Sequence, residues 1–124
     1  IDYGTFFPVQ YGAIAALNGP DDMIKAQCAE YQRRRDALCG GLRSVGWDIE
    51  DSEGTMFAWG AIPEKYGTDD VAFVMELMER SGVLCTPGSS FGSLGKGHVR
   101  FALTMSVEQI QAAVKAVKES GMIE

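Results

Sequence analysis

The sequence has little of what several large functional classes require. It holds three cysteines, Cys28, Cys39 and Cys85, too few and too scattered for a disulfide framework or a zinc site. Cys28 and Cys39 fall on one predicted helix, too far apart to bridge, so reduced thiols in a cytoplasmic protein are expected. No run of about 18 apolar residues occurs, so no membrane-spanning helix is expected. The chain opens on Ile-Asp-Tyr without a basic leader, so no signal peptide is expected either. Positive charge is scarce. Eleven Lys and Arg face 17 Asp and Glu, giving a net charge of −6, which speaks against a nucleic-acid partner. The one basic run, Arg33-Arg34-Arg35, is flanked by Glu30 and Asp36 and reads as a solvated, ion-paired helix face. Glycines 92, 95 and 97 follow no dinucleotide fingerprint, and Gly95-Lys96 lacks the hydroxyl residue and spacing of a phosphate loop. The lone histidine, His98, has no acidic or serine partner at a recognisable spacing and reads as a turn residue.

What is present is an ordinary globular composition, 46% apolar and 23% charged, in a chain of 124 residues. That length predicts one domain able to bury roughly two-thirds of its unfolded surface. Pro8 suits the first turn of a short helix over 9–17, and Asn18-Gly19-Pro20 stops it. A long helix is expected over 21–45, capped by Asp21 or Asp22, with an apolar stripe of Ile24, Cys28, Tyr31, Leu38, Leu42 and Val45. Arg35 interrupts that stripe, either laying its stem across the core edge or pairing with a neighbour. Gly46 is the expected C-cap.

Residues 47–50 read as a short strand. Residues 55–62, apolar on both faces, read as a central strand covered on both sides. A helix follows from a Thr68 or Asp69 cap to about Arg80, with Val71, Val74, Met75 and Met78 as its buried stripe, and Gly82 ends it. The last helix opens on the capping box Ser106-Val107-Glu108-Gln109, with Ile110, Ala113, Val114 and Val117 inward. The order α-α-β-β-α-β-β-α predicts an α+β two-layer sandwich, helices packed on a small mixed or antiparallel sheet.

One stretch organises the rest: VLCTPGSSFGSLGKGHVRFALT, residues 83–104, a strand, a glycine-rich turn and a second strand. By the period of two, Val99, Phe101 and Leu103 share one face, and Arg100, Ala102 and Thr104 the other. A single guanidinium on a small, polar face suits end-on capture of a carboxylate; a plain surface arginine is the alternative.

TPGSSFG followed by GHVRFAL resembles the closing signature of the class I/II pyridoxal-phosphate aminotransferases of fold type I. YGTFFPVQYGAIAALNGP, YQRRRD and GTMFAWGAIP extend the likeness over nearly the whole chain, though over only the last third of such an enzyme. The alanine (glutamate–pyruvate) branch is nearest in look. The resemblance implies a single C-terminal small domain over 1–124, with 1–20 a linker and short helix leading from a missing large domain. The opening without methionine fits an excised piece. The resemblance further implies that Arg100 binds the substrate α-carboxylate, with Phe57, Gly88, Ser89 and Phe91 beside it. Tyr3, Gly4 and Thr5 would line the site of a neighbouring subunit.

Its implied partners are an amino acid, a 2-oxo acid and, in the full-length enzyme, a second copy in a homodimer. The implied cofactor is pyridoxal 5′-phosphate in the full-length enzyme, with none bound by this chain. None of Lys25, Lys65, Lys96, Lys115 and Lys118 sits in the family's Schiff-base motif, so the isolated chain is expected to be inactive. Ile1-Asp2-Tyr3 carries no arginine where dicarboxylate-specific relatives have one. Two alternatives stay open: another fold-type I enzyme, such as a carbon–sulfur lyase or aminocyclopropane-carboxylate synthase, or a stand-alone amino-acid-binding module. A truncated domain would also expose an apolar face around Phe6, Phe7 and Phe91.

Overall fold

The alternation in His98–Ala102 decides the sheet. In the computed structural model, which describes residues 3–123, this segment is the strand β3, and Val99 and Phe101 are buried beneath it. Two earlier strands flank it, β1 (Phe57–Ala61) and the two-residue β2 (Thr86–Pro87). The sheet is antiparallel in the order β1-β3-β2, so β3 is central. Trp59 lies opposite Arg100 on one side and Thr86 opposite it on the other.

The strand expected to be central and doubly covered, β1, is therefore an edge strand covered on one face. Ala58 and Gly60 point into the core, while Trp59 is exposed and Phe57 half-buried. Its second face is apolar because it carries those two rings, which stand beside Arg100 rather than under helices. The core side is close-fitted. A Cβ on Gly60 would lie 2.8 Å from Ile49 Cγ1, so glycine there leaves room for the Ile49 side chain.

Residues 47–50 are not a strand. Trp47 and Ile49 alternate into the core as a strand would, but their backbone groups are satisfied elsewhere. The Trp47 N–H donates to the Leu42 carbonyl at 2.9 Å, and Arg43 Nη1 donates to the Ile49 carbonyl at 2.5 Å. The sheet thus has three strands, and the α+β class stands with one strand fewer than the expected order.

Among the described residues, four α-helices accompany the sheet: α1 (Phe7–Leu17), α2 (Asp22–Ser44), α3 (Asp70–Ser81) and α4 (Val107–Glu119). Pro8 sits in the first turn of α1, and α4 opens on the expected capping box, Ser106 and Gln109 exchanging hydrogen bonds. Asp69 caps α3 by accepting from the Ala72 N–H at 3.0 Å, and Gly82 ends it at φ +71°. α2 has no side-chain N-cap, and Val45 is its C-cap, with Gly46 following at φ +94°. Helices α2 and α4 approach closely at Gly41, where a Cβ would stand 2.9 Å from Val114 Cγ2.

The buried face of α3 is rotated from the expected one. Asp70, Phe73, Val74 and Leu77 are buried, whereas Val71, Met75 and Met78 are exposed. Both stripes are apolar at helical spacing, so periodicity cannot choose between them. Aromatic packing does: Phe73 meets Trp47 edge-on at 5.1 Å and Tyr66 at 4.9 Å.

No residue of α1 is buried, and the buried residues of α2 are Leu38, Cys39 and Leu42. Phe6, Phe7, Tyr11, Leu17 and Ile24 all lie exposed, an apolar surface wider than the expected patch. No helix among the described residues is long and apolar enough to cross a membrane.

Candidate functional site

The open face of the sheet gathers one cation and four rings. Arg100 projects from the middle of β3, with His98 two residues before it on the same face. Phe57 and Trp59 project from the facing positions of β1. Phe91 arrives from the 3₁₀ turn Gly88–Phe91, which leaves β2. The Arg100 guanidinium carbon lies 4.1 Å from the Phe57 ring centroid and 4.2 Å from that of Phe91. Trp59 meets Phe91 edge-on at 5.9 Å and stacks on His98 at 5.6 Å.

Two rings so close to one guanidinium fix its plane and hold its charge by cation–π attraction. They leave its edge, where the N–H donors lie. Arg100 makes no hydrogen bond or ion pair among the described residues. A planar fork of donors with its edge free is matched in shape and charge by a carboxylate, which takes two parallel N–H···O bonds.

Both ring walls are tethered from behind. The Ser52 hydroxyl donates to the Phe57 carbonyl at 2.9 Å, and the Ser52 carbonyl accepts from Arg35 Nη1 at 3.0 Å. Arg35, the break in the α2 stripe, thus both pairs with Asp36, which raises the pKa of its guanidinium, and reaches the β1 approach. On the other side, the turn bearing Phe91 is held backbone against backbone. A Cβ on Gly88 would fall 2.1 Å from the Gly95 carbonyl oxygen, and one on Gly95 2.1 Å from that of Gly88. Only glycine fits at either position.

Of the residues singled out in the sequence, Arg100, Phe57 and Phe91 come together, with Gly88 and Ser89 forming the turn behind Phe91. Gly88 serves backbone packing, and the Ser89 N–H is bonded inward. Tyr3, Gly4 and Thr5 lie exposed before α1, away from the cluster's contacts. Ile1 and Asp2, read as lacking a second arginine, lie outside the described residues. Sequence reasoning missed His98 and Trp59. The period of two from Arg100 places His98 on its face, and the same period from Phe57 places Trp59 there, so both were within reach of the alternation rule.

The thiols are outside this chemistry. Burial pushes Cys39 up to about 11 and Cys85 up to about 12, which keeps both protonated at neutral pH. Among the described residues no group of His, Cys, Asp and Glu could hold a metal ion.

Fold and site together define a small α+β domain with one arginine clasped between aromatic rings on an open sheet face. The chain belongs to the aminotransferase class I and II family, which matches residues 5–117. It is 39% identical over 120 residues to an LL-diaminopimelate aminotransferase from Halothermothrix orenii, covering 97% of this chain. It is 40% identical over 118 residues to the glutamate–pyruvate aminotransferase AlaC from Escherichia coli, covering 94% of this chain. Among solved structures it is similar to a probable N-succinyldiaminopimelate aminotransferase from Thermus thermophilus. That match has a TM-score of 0.85 and 33% identity and covers 97% of this chain and 32% of the other. The chain spans about 30% of the length of the curated relatives it matches. The sequence resemblance is thereby borne out, with the alanine branch among the relatives.

Proposed function

We propose that this chain is the part of a pyridoxal-phosphate-dependent amino-acid aminotransferase that grips the substrate's α-carboxylate. The carrying observation is the Arg100 guanidinium held within 4.1 and 4.2 Å of two ring centroids with its N–H edge free. A clamp of this kind fixes one end of an amino acid while the bonds at Cα are broken and made, so orientation lowers the barrier. The cofactor, in the complete enzyme, supplies the electron sink for amino-group transfer. None of the five lysines, Lys25, Lys65, Lys96, Lys115 and Lys118, sits in a phrase that resembles the family's Schiff-base motif. In this reading the anchoring lysine and the groups that hold the cofactor's phosphate and ring belong to the rest of the enzyme. The isolated chain is inactive in this reading.

The substrates are an amino acid and a 2-oxo acid, and the working form is a homodimer with Tyr3, Gly4 and Thr5 near the neighbouring subunit's site. The curated relatives above are aminotransferases by name, which supports transamination over the lyase and synthase alternatives. The likeness to AlaC supports a glutamate–pyruvate type of exchange.

The test is Arg100→Ala and Arg100→Lys in the complete, cofactor-loaded gene product. Both should raise KM for the amino acid and for the oxo acid together. The lysine variant should recover only part, because a point charge cannot make two parallel bonds. Unchanged KM values for both variants would refute the clamp.

A further inference from the structure

One acidic group does work that the site described so far leaves unassigned. Asp70 is the first residue of α3 and, at 3% exposed, the one buried charged side chain among the described residues. The helix does not need it as a cap, because Asp69 already accepts the Ala72 N–H. The Asp70 carboxylate instead crosses to the glycine-rich turn, where Oδ2 accepts the Ser89 backbone N–H at 2.6 Å. Ser89 stands two residues before Phe91 in the same 3₁₀ turn. A buried carboxylate is costly to desolvate, and a charge-assisted bond to a backbone N–H offsets that cost only while the turn keeps its place.

Resting on the carboxylate-clamp reading above, we propose that Asp70 is a positioning residue that holds the Gly88–Phe91 turn so that the Phe91 ring stays on the Arg100 guanidinium. The connection runs from the Asp70 carboxylate to the Ser89 N–H, through the turn to Phe91, and across 4.2 Å to Arg100. Gly88 and Gly95 fix the turn against its neighbour, but their contact is backbone to backbone and carries no charge. Asp70 supplies the directional bond. Losing it leaves the turn free to rock and Phe91, itself 50% exposed, free to leave the guanidinium. Arg100 then has rotamers to lose on binding, and carboxylate affinity falls.

The experiment uses the complete, cofactor-loaded gene product and four variants: Asp70→Leu, Asp70→Asn, Phe91→Leu and Arg100→Ala. The primary readout is the dissociation constant of a 2-oxo acid, measured well below the melting temperature of each variant. The second is the NMR shift of the Arg100 Nε–H, which two flanking ring faces move upfield. Asp70→Leu should weaken binding roughly tenfold, about the worth of a hydrogen bond to a charged group, and move the Nε–H downfield. Asp70→Asn keeps an acceptor oxygen and should restore most of both. Phe91→Leu, a change at an exposed position, should match or exceed Asp70→Leu and covers the case in which that variant does not fold.

Wild-type affinity in either Asp70→Leu or Phe91→Leu, with Arg100→Ala weakened, would overturn the positioning role and leave the clamp. Wild-type affinity in Arg100→Ala would remove the clamp itself. A merely structural Asp70 would lower the melting temperature without moving the Nε–H or the dissociation constant.

Discussion

The two parts of this chain, before and from Leu38, are both rich in apolar residues and have opposite fates. From Leu38 onward, helices and sheet close over one core: Leu42, Trp47, Phe73, Leu77, Val99, Leu103 and Met122 are each nearly inaccessible. Before Leu38, α1 and the first turns of α2 carry Phe7, Val9, Tyr11, Ile14, Leu17, Met23 and Ile24 exposed. The first helix, α1, is helical by local signals, a proline in its opening turn and an Asn-Gly-Pro stop. Local signals make an element; they do not give it something to pack against. The arm, α1 and the first turns of α2, shows apolar helix without a partner, whereas from Tyr31 onward the chain packs on the body.

The sharpest break in that comparison is Gly88→Ala. Its new methyl would meet the Gly95 and His98 carbonyls at 2.1 and 2.8 Å, both backbone and unable to swing aside. The body should lose about 3 kcal/mol or more, seen in urea unfolding, or fail to fold. Next comes a matched pair of truncations. Phe73→Ala in the body should cost about 3–5 kcal/mol, whereas Leu17→Ala in the arm should stay within about 0.5 kcal/mol. Equal costs would mean that the arm packs on the body after all. Gly41→Ala should be milder, about 1–2 kcal/mol, because the contact is the Val114 side chain, and pairing it with Val114→Ala should recover part of the loss.

The smallest effect is a pH dependence. Cys39 and Cys85 titrate higher folded than unfolded, so their burial favours the neutral thiol. Stability from this source is whole below the ordinary thiol range and declines as pH rises from about 9 through 11 to 12. At the acid end, Glu30 and Asp51 are lowered by bonds to Arg33 and Arg43, so their contribution is present above the carboxylate range and fades as pH falls below it. Melting temperatures across both windows check the signs.

Much of this was legible before the structure. The alternation through Val99, Arg100 and Phe101 set the faces of the central strand, and Ser106 with Gln109 set the start of the last helix. The misreadings share a cause. On α3, Val71, Met75 and Met78 compete with Phe73, Val74 and Leu77 at the same helical spacing, and only the rings of Trp47 and Tyr66 choose between them. Residues 47–50 alternate like a strand, but whether a backbone pairs with a sheet or with Arg43 depends on the third dimension. Phe57 and Phe91 were named beside Arg100 from a family phrase, and no spacing rule predicts that they flank it. Asp70 left one faint signal: two consecutive aspartates where a helix needs a single cap.

The most direct test of the central claim is a crystal structure of the complete gene product with an amino acid or a 2-oxo acid bound. The α-carboxylate should lie in two parallel bonds to the edge of Arg100, with Phe57 and Phe91 still against the guanidinium. A carboxylate bound elsewhere, with the Arg100 edge left to solvent, would contradict it.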